Sequence, residues 1–289
     1  MHAALAFLAF QAVTAPAPPI TPNDVIAAAP ASAWTRIADD ALLVIELMGG
    51  ARVVIQLAPG FAPAHVANIR ALARARWWDG ESVYRVQDNY VVQWGDPTDK
   101  KPLPGGVAAR PPAEYERDAQ GLAIRPLDAP DAYAPRTGFV EGWPVAVRDG
   151  RASLTHCYAM VGVARDPAPD TGSGSALYTV IGHAPRQLDR NIALVGRIVA
   201  GMEALSALPR GTGDLGLYRT PGERLPIISV RLASDMPAAA RPAFEVMDSA
   251  APAFADYVRL RANRHDGFFA VPAGGVDICN VPVPVRAVR

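Results

Sequence analysis

The chain has 289 residues, half of them hydrophobic and 19% charged, enough for one large globular domain or two small ones. Lys+Arg and Asp+Glu both number 28, so the formal net charge is zero. That balance argues against nucleic acid, which needs a basic stripe to neutralise phosphates, and against a polybasic membrane-surface binder.

The N-terminus reads MHAALAFLAFQAVTAPAPP. Its apolar run, Ala3–Thr14, has the length of a signal-peptide core and is too short to span a bilayer. Small residues at Val13, Ala15 and Ala17 follow, as a cleavage site requires. Residues 1–17 are therefore expected to be a signal peptide and the mature protein to be periplasmic or secreted, without stable membrane insertion. The alternative is an apolar tail with no targeting role. Residues 18–34 are rich in Ala and Pro and read as a linker.

Regular patterning begins after Trp34 and, apart from residues 97–153, continues to residue 235. ALLVIELMGGARVVIQLAPG reads as two strands around the turn dipeptide Gly49-Gly50, with Val53, Ile55 and Leu57 alternating against Val54 and Gln56. PAHVANIRALARARWWDG has helical spacing, with Val66, Ile69 and Leu72 on one face, Pro63 near its start and Gly80 beyond its end. VYRVQDNYVVQWGD, residues 83–96, reads as strand but carries Arg85 and Gln93 where such a strand usually buries apolar groups. Residues 97–153 show little periodicity and many Pro and Gly, and are expected to be a long insertion of loops. CYAMVGVARD, ALYTVIGH, IALVGRIVAG and LPIISVRLAS read as further strands, with a short helix at MEALSALP. Long helical crossovers are missing, which favours a closed barrel over a parallel α/β sheet. Residues 236–289 form a C-terminal extension in which AFADYVRLRANRHDGFF suits a helix and VDICNVPVPVRAVR is extended.

Two motifs mislead. GTGDLG, residues 211–216, matches a dinucleotide fingerprint but lacks a strand before it and a helix after it. DTGS, residues 170–173, matches a protease string that needs a second aspartate, and no second copy exists. The histidines show no zinc-ligand spacing, so neither metal nor cofactor is expected. Cys157 and Cys279 admit two readings, a disulfide closing a long loop in an exported protein or a pair of buried free thiols.

Three ordered blocks carry a family resemblance. The stretch from Val53 to Asp96, with Tyr84-Arg85, Tyr90, Gln93 and Gly95-Asp96 at ungapped spacing, resembles the cyclophilins, the peptidyl-prolyl cis-trans isomerases. MVGVARDPAPDTGSGSALYTVIG and QLDRNIALVGRIVAGME resemble the family's second and third blocks. The resemblance covers roughly residues 41–98 and 158–235, within a domain placed at 35–235. It implies a mainly β fold, a closed eight-stranded antiparallel barrel capped by two helices, here with the long loop insertion and the C-terminal extension. It implies isomerisation of X-Pro bonds in unfolded or extended polypeptides, assisting protein folding, by a chain expected to act as a monomer. By resemblance Arg85 and Gln93 are the catalytic pair. Tyr90, Val91, Tyr178 and Leu188 would line a pocket for the proline ring, and Ala164 and Arg165 the neighbouring groove. The chain departs from the family pattern at Val83, Tyr84, Tyr90, Ala176, Tyr178, Gln187 and Ile192. A rewritten pocket leaves a second reading, a catalytically weak peptide-binding or chaperone module, because a looser site keeps binding more readily than turnover.

Overall fold

The structure, a computed structural model, describes residues 20–288, so the expected signal peptide lies outside the described residues. In chain order the elements begin with α1 (Pro22–Ala28), β1 (Trp34–Arg36), β2 (Leu42–Leu47), β3 (Arg52–Leu57), α2 (Pro63–Arg74), β4 (Ser82–Val86) and β5 (Val91–Gly95). β6 (Arg117–Asp118), β7 (Arg125–Leu127), β8 (Arg136–Val140), β9 (Trp143–Arg148) and β10 (Arg151–Leu154) follow. Then come β11 (Met160–Val163), β12 (Leu177–Val180), β13 (Leu194–Ala200), α3 (Met202–Ser206) and β14 (Leu225–Leu232). β15 (Phe244–Met247), α4 (Pro252–Ala262) and β16 (Val285–Ala287) end the chain.

Eight strands close into a barrel in the order β11-β12-β5-β4-β14-β2-β3-β13, each pair antiparallel. Alternation along each strand fills its interior: Val53, Ile55 and Leu57 point inward as their spacing predicts, with Val66, Ile69 and Leu72 of α2 in the same core. The other face of β2 and β3 is covered too. Leu42, Val44 and Val54 pack with Ile37, Ala233 and Val246 outside the barrel. That double burial explains why LLVIEL is nearly continuous in apolar residues instead of alternating.

The covering comes from the segments that sequence patterning reads as linker, loop insertion and tail. The insertion is not a run of loops. It forms a five-stranded antiparallel sheet, β6-β10-β9-β8-β7. Its strands are short and carry Pro126 and Pro144, which masks their period. Two turns join them through Glu141-Gly142 (φ 50 and 75) and Asp149-Gly150 (φ 48 and 74). Paired positive φ is the geometry of type I′ hairpins, for which Asp-Gly is a strong signal. From the barrel side, Ala58, Met160 and Leu194 pack with Trp143, Val145 and Leu154.

Both chain ends join this layer. β1 pairs with β15 and β15 with β16 in a three-stranded sheet. Trp34, Met247, Phe254 and Tyr257 form a second core with Phe139 of β8, and Val25 and Ile26 of α1 pack against it. α1 begins at a capping box between Thr21 and Asp24, a start signal hidden in the Ala/Pro-rich stretch. α4 stops at Ala262, before the end of the expected helical segment. Cys157 and Cys279 form a disulfide, with Cα atoms 4.9 Å apart at a sequence separation of 122, which settles the two readings in favour of the bridge. It ties the strand entry to β11 to the C-terminal segment. Arg197 also joins the layers: it stacks 4.5 Å from the Trp143 ring centroid, and donates to Gln56 Oε1 at 2.9 Å and Gly142 O at 2.7 Å.

Candidate active site

The β4–β5 hairpin sets Arg85 opposite Gln93, while Val83 pairs with Trp94, so a bulge at Tyr84 and Arg85 places two residues against one. A bulge re-aims side chains locally. Here it lets Tyr84 and Arg85, consecutive in sequence, both reach the Gln93 amide. An Arg85 terminal nitrogen donates to Gln93 Oε1 at 3.0 Å, and Gln93 Nε2 donates to the Tyr84 hydroxyl. The amide is thereby held in one orientation.

Arg85 is fixed from two more sides. Its Nε donates to Leu215 O at 2.7 Å, and its other terminal nitrogen donates to Gln87 Oε1. Leu215 lies in the Asp214–Gly216 turn with φ 55. A guanidinium has five N–H donors; among the described residues three are engaged, and two remain for a ligand. The Arg85 carbon lies 5.8 Å from the Tyr90 ring centroid. Burial pushes the guanidinium below its usual range, with no carboxylate against it among the described residues, and it stays charged. Burial also pushes the Tyr84 phenol up to about 12, so it enters the site as a neutral hydroxyl.

Beside this pair is a small apolar cluster of Val91, Tyr178 and Val180, against which Tyr90, Ala164 and Ile192 pack. Tyr178 is opposite Gly162 in the β11–β12 ladder. Of the residues singled out from sequence, the structure brings together Arg85, Gln93, Tyr90, Val91, Ala164 and Tyr178. Leu188, half-buried, ends the 186–188 turn and is not part of the cluster, where Ile192 is found instead. Arg165 turns to the Asn191 carbonyl, at 3.1 and 2.8 Å, and lies 5.6 Å from the Tyr115 ring of the insertion. Sequence reasoning gave no site role to Tyr84, Gln87, Val180 or Leu215. The first two sit in the same strand motif as Arg85, whereas Leu215 is reached only through the fold.

Arg85, Gln93 and Tyr90 are each half-buried, so the site is an open shallow surface. Two cavities of about 590 and 470 Å³ lie elsewhere, along Phe61 and the inserted sheet, and neither is lined by Arg85 or Gln93. Their linings mix Arg117 with acidic groups such as Glu116 and Glu141, with no convergence on a reacting atom. Asp96, just after Gln93, organises the entry to the insertion. Its carboxylate accepts from the backbone N–H groups of Thr98, Lys100 and Lys101 at 2.8, 2.7 and 2.7 Å.

Residues 42–232 match the family described as cyclophilin type peptidyl-prolyl cis-trans isomerase/CLD. A probable peptidyl-prolyl cis-trans isomerase of Brucella suis biovar 1 (strain 1330) is 26% identical over 180 residues, which cover 62% of this chain and 77% of that protein. A probable peptidyl-prolyl cis-trans isomerase of Brucella abortus (strain 2308) matches to the same extent. Among solved structures, the cyclophilin AquaCyp293 from Hirschia baltica superposes with a TM-score of 0.71 at 24% identity, covering 93% of this chain and 98% of that one. The likeness in fold therefore extends beyond the barrel to the covering layer.

Proposed function

This chain belongs to the cyclophilin type peptidyl-prolyl cis-trans isomerases, and from that premise we propose that Arg85 and Gln93, beside the Tyr90–Val91–Tyr178 cluster, are its catalytic centre. The family match favours turnover over the binding-only reading. The observation that carries the assignment of the site is the Arg85–Gln93 hydrogen bond at 3.0 Å, which leaves two guanidinium donors free next to an apolar patch.

The chemistry asks for little more. Rotation about an X-Pro bond is slow because the C–N bond is partly double, with a barrier of roughly 18–20 kcal/mol. A donor aimed at the prolyl nitrogen favours a pyramidal nitrogen and so breaks that conjugation. Arg85 suits this role because its fork is rigid, permanently charged and already held by Leu215, Gln87 and Gln93. The apolar cluster receives the proline ring, and Gln93 takes the peptide backbone. The site speeds rotation to the extent that it binds the twisted peptide more tightly than either planar form. The acid–base groups of a hydrolase have no part in such a reaction.

The substrates proposed are proline-containing segments of unfolded or extended chains, which an open, shallow site admits without a deep cavity. Export to an oxidising compartment is supported by the Cys157–Cys279 disulfide and the apolar N-terminal run. Magnetisation exchange between the cis and trans forms of an Ala-Pro peptide tests the assignment: the protein accelerates it, and peptide broadening without accelerated exchange would contradict it.

A further inference from the structure

The wall of the proposed proline pocket is wired to the covering layer by a buried polar chain. The Tyr178 hydroxyl is 2.9 Å from His156 Nε2, and the two ring planes are nearly parallel, at 10°. His156 is fully buried, in the segment between β10 and β11. Its Nδ1 is 2.9 Å from Asp189 Oδ1, which also accepts from the His156 backbone N–H at 2.9 Å. With Nδ1–H committed to the carboxylate, Nε2 accepts from the Tyr178 hydroxyl. The other Asp189 oxygen accepts from Arg186 Nε. The terminal nitrogens of Arg186 donate to both oxygens of Asp131, at 2.8 and 3.2 Å. Asp131 lies in the insertion between β7 and β8, where it also accepts from the backbone N–H groups of Tyr133 and Ala134 at 2.9 Å each.

The side chains of Arg186 and Asp131 are each 3% exposed. Burying such groups is costly unless each is partnered, and a chain like this adds little net stability over apolar packing of the same volume. What it adds is direction. Apolar packing of Tyr178 on Gly162 fixes no angle, whereas a hydrogen bond at the far end of the ring does. A phenylalanine would line the same wall with no buried hydroxyl to satisfy.

We propose that His156 is a positioning residue for Tyr178 and that Asp189, Arg186 and Asp131 hold it, so that the inserted sheet sets the shape of the proline pocket. The inference rests on the reading of the Tyr178 cluster as that pocket.

The test compares kcat/KM for an Ala-Pro peptide among the full-length protein, Tyr178→Phe, His156→Asn and Asp131→Asn, and the latter two in the Tyr178→Phe background, per folded molecule. His156→Asn keeps a donor toward Asp189 and removes the acceptor for Tyr178. Tyr178→Phe and His156→Asn should each lower kcat/KM roughly tenfold, the order of one neutral hydrogen bond. Asp131→Asn should lower it a few-fold. Neither should add to the loss in Tyr178→Phe, because all act through one hydroxyl. Losses that add in the doubles, or a fall in Tm with kcat/KM unchanged, would overturn the proposal. If His156→Asn does not fold, Asp131→Asn carries the same non-additivity test from the insertion. Arg85→Ala alongside separates the two levels: full activity there overturns the site itself, whereas its loss together with additive network variants overturns only the wiring.

Discussion

Tyr178 lies flat on Gly162, its cross-strand neighbour, so closely that a methyl group built at 162 would fall against the phenol Cζ and hydroxyl. The backbone of β11 thus serves as the floor beneath the pocket wall. Gly162→Ala should displace the ring without removing any group that touches substrate. We expect kcat/KM to fall at least several-fold, with a destabilisation of about 1–3 kcal/mol from overpacking. Steady-state exchange rates and a denaturant titration on the same preparation check both.

Tyr90 packs on the cluster and faces Arg85 at 5.8 Å. Tyr90→Ala removes apolar contact to the proline ring and the aromatic face under the guanidinium. Peptide affinity should weaken roughly tenfold or more, in line with burying one aromatic less completely. Titration by chemical-shift perturbation measures it, and unchanged affinity would remove Tyr90 from the pocket.

The Cys157–Cys279 bridge fastens the C-terminal segment to the barrel entry at β11. Replacing both by Ser should cost roughly 2–4 kcal/mol of stability, the usual range for a long closed loop. It should leave kcat/KM per folded molecule near that of the parent, since neither sulfur approaches Arg85 or Gln93 among the described contacts. Parallel melts with and without reductant give the stability change.

Asp96 predicts an acid-sensitive step. Burial raises its carboxyl, but hydrogen bonds from the Lys101, Thr98 and Lys100 backbone and the Thr98 hydroxyl outweigh this and lower it from 3.8 to about 2. The unfolded chain therefore takes up this proton at higher pH than the folded one. The stabilisation is present above the ordinary carboxylate range and is lost as pH falls from about 4 toward about 2. Asp79 and Asp131, lowered against their burial by Arg231 and Arg186, act in the same direction. Asp96→Asn should be less stable at pH 7 and show a shallower loss between pH 4 and pH 2. Equal slopes for variant and parent would contradict the role given to this carboxylate.

The barrel was legible because its strands are compact runs rich in apolar and β-branched residues and its motifs keep their spacing: Arg85, Gln93 and Tyr90 fall within a few residues of one another in a hairpin. The covering layer was not. Its strands are two to six residues long, two of them carry proline, and its central strands β8 and β9 are buried on both faces. The turns at Glu141-Gly142 and Asp149-Gly150 were the readable signals within it. The chain from Tyr178 to Asp131 could not be read from local pattern at all. It joins residues 22, 33 and 55 positions apart, and only the folded topology sets them side by side.

The central claim is that the Arg85 guanidinium lowers the barrier to X-Pro rotation. The most direct measurement is cis/trans exchange of an Ala-Pro peptide by NMR with the parent, Arg85→Ala and Arg85→Lys at equal folded concentration. Losing one preorganised donor to a developing charge typically costs on the order of a hundredfold or more. The account predicts at least that loss for Arg85→Ala, at nearly unchanged Tm. It predicts little recovery in Arg85→Lys, which keeps the charge but not the fork. Exchange as fast with Arg85→Ala as with the parent would contradict it.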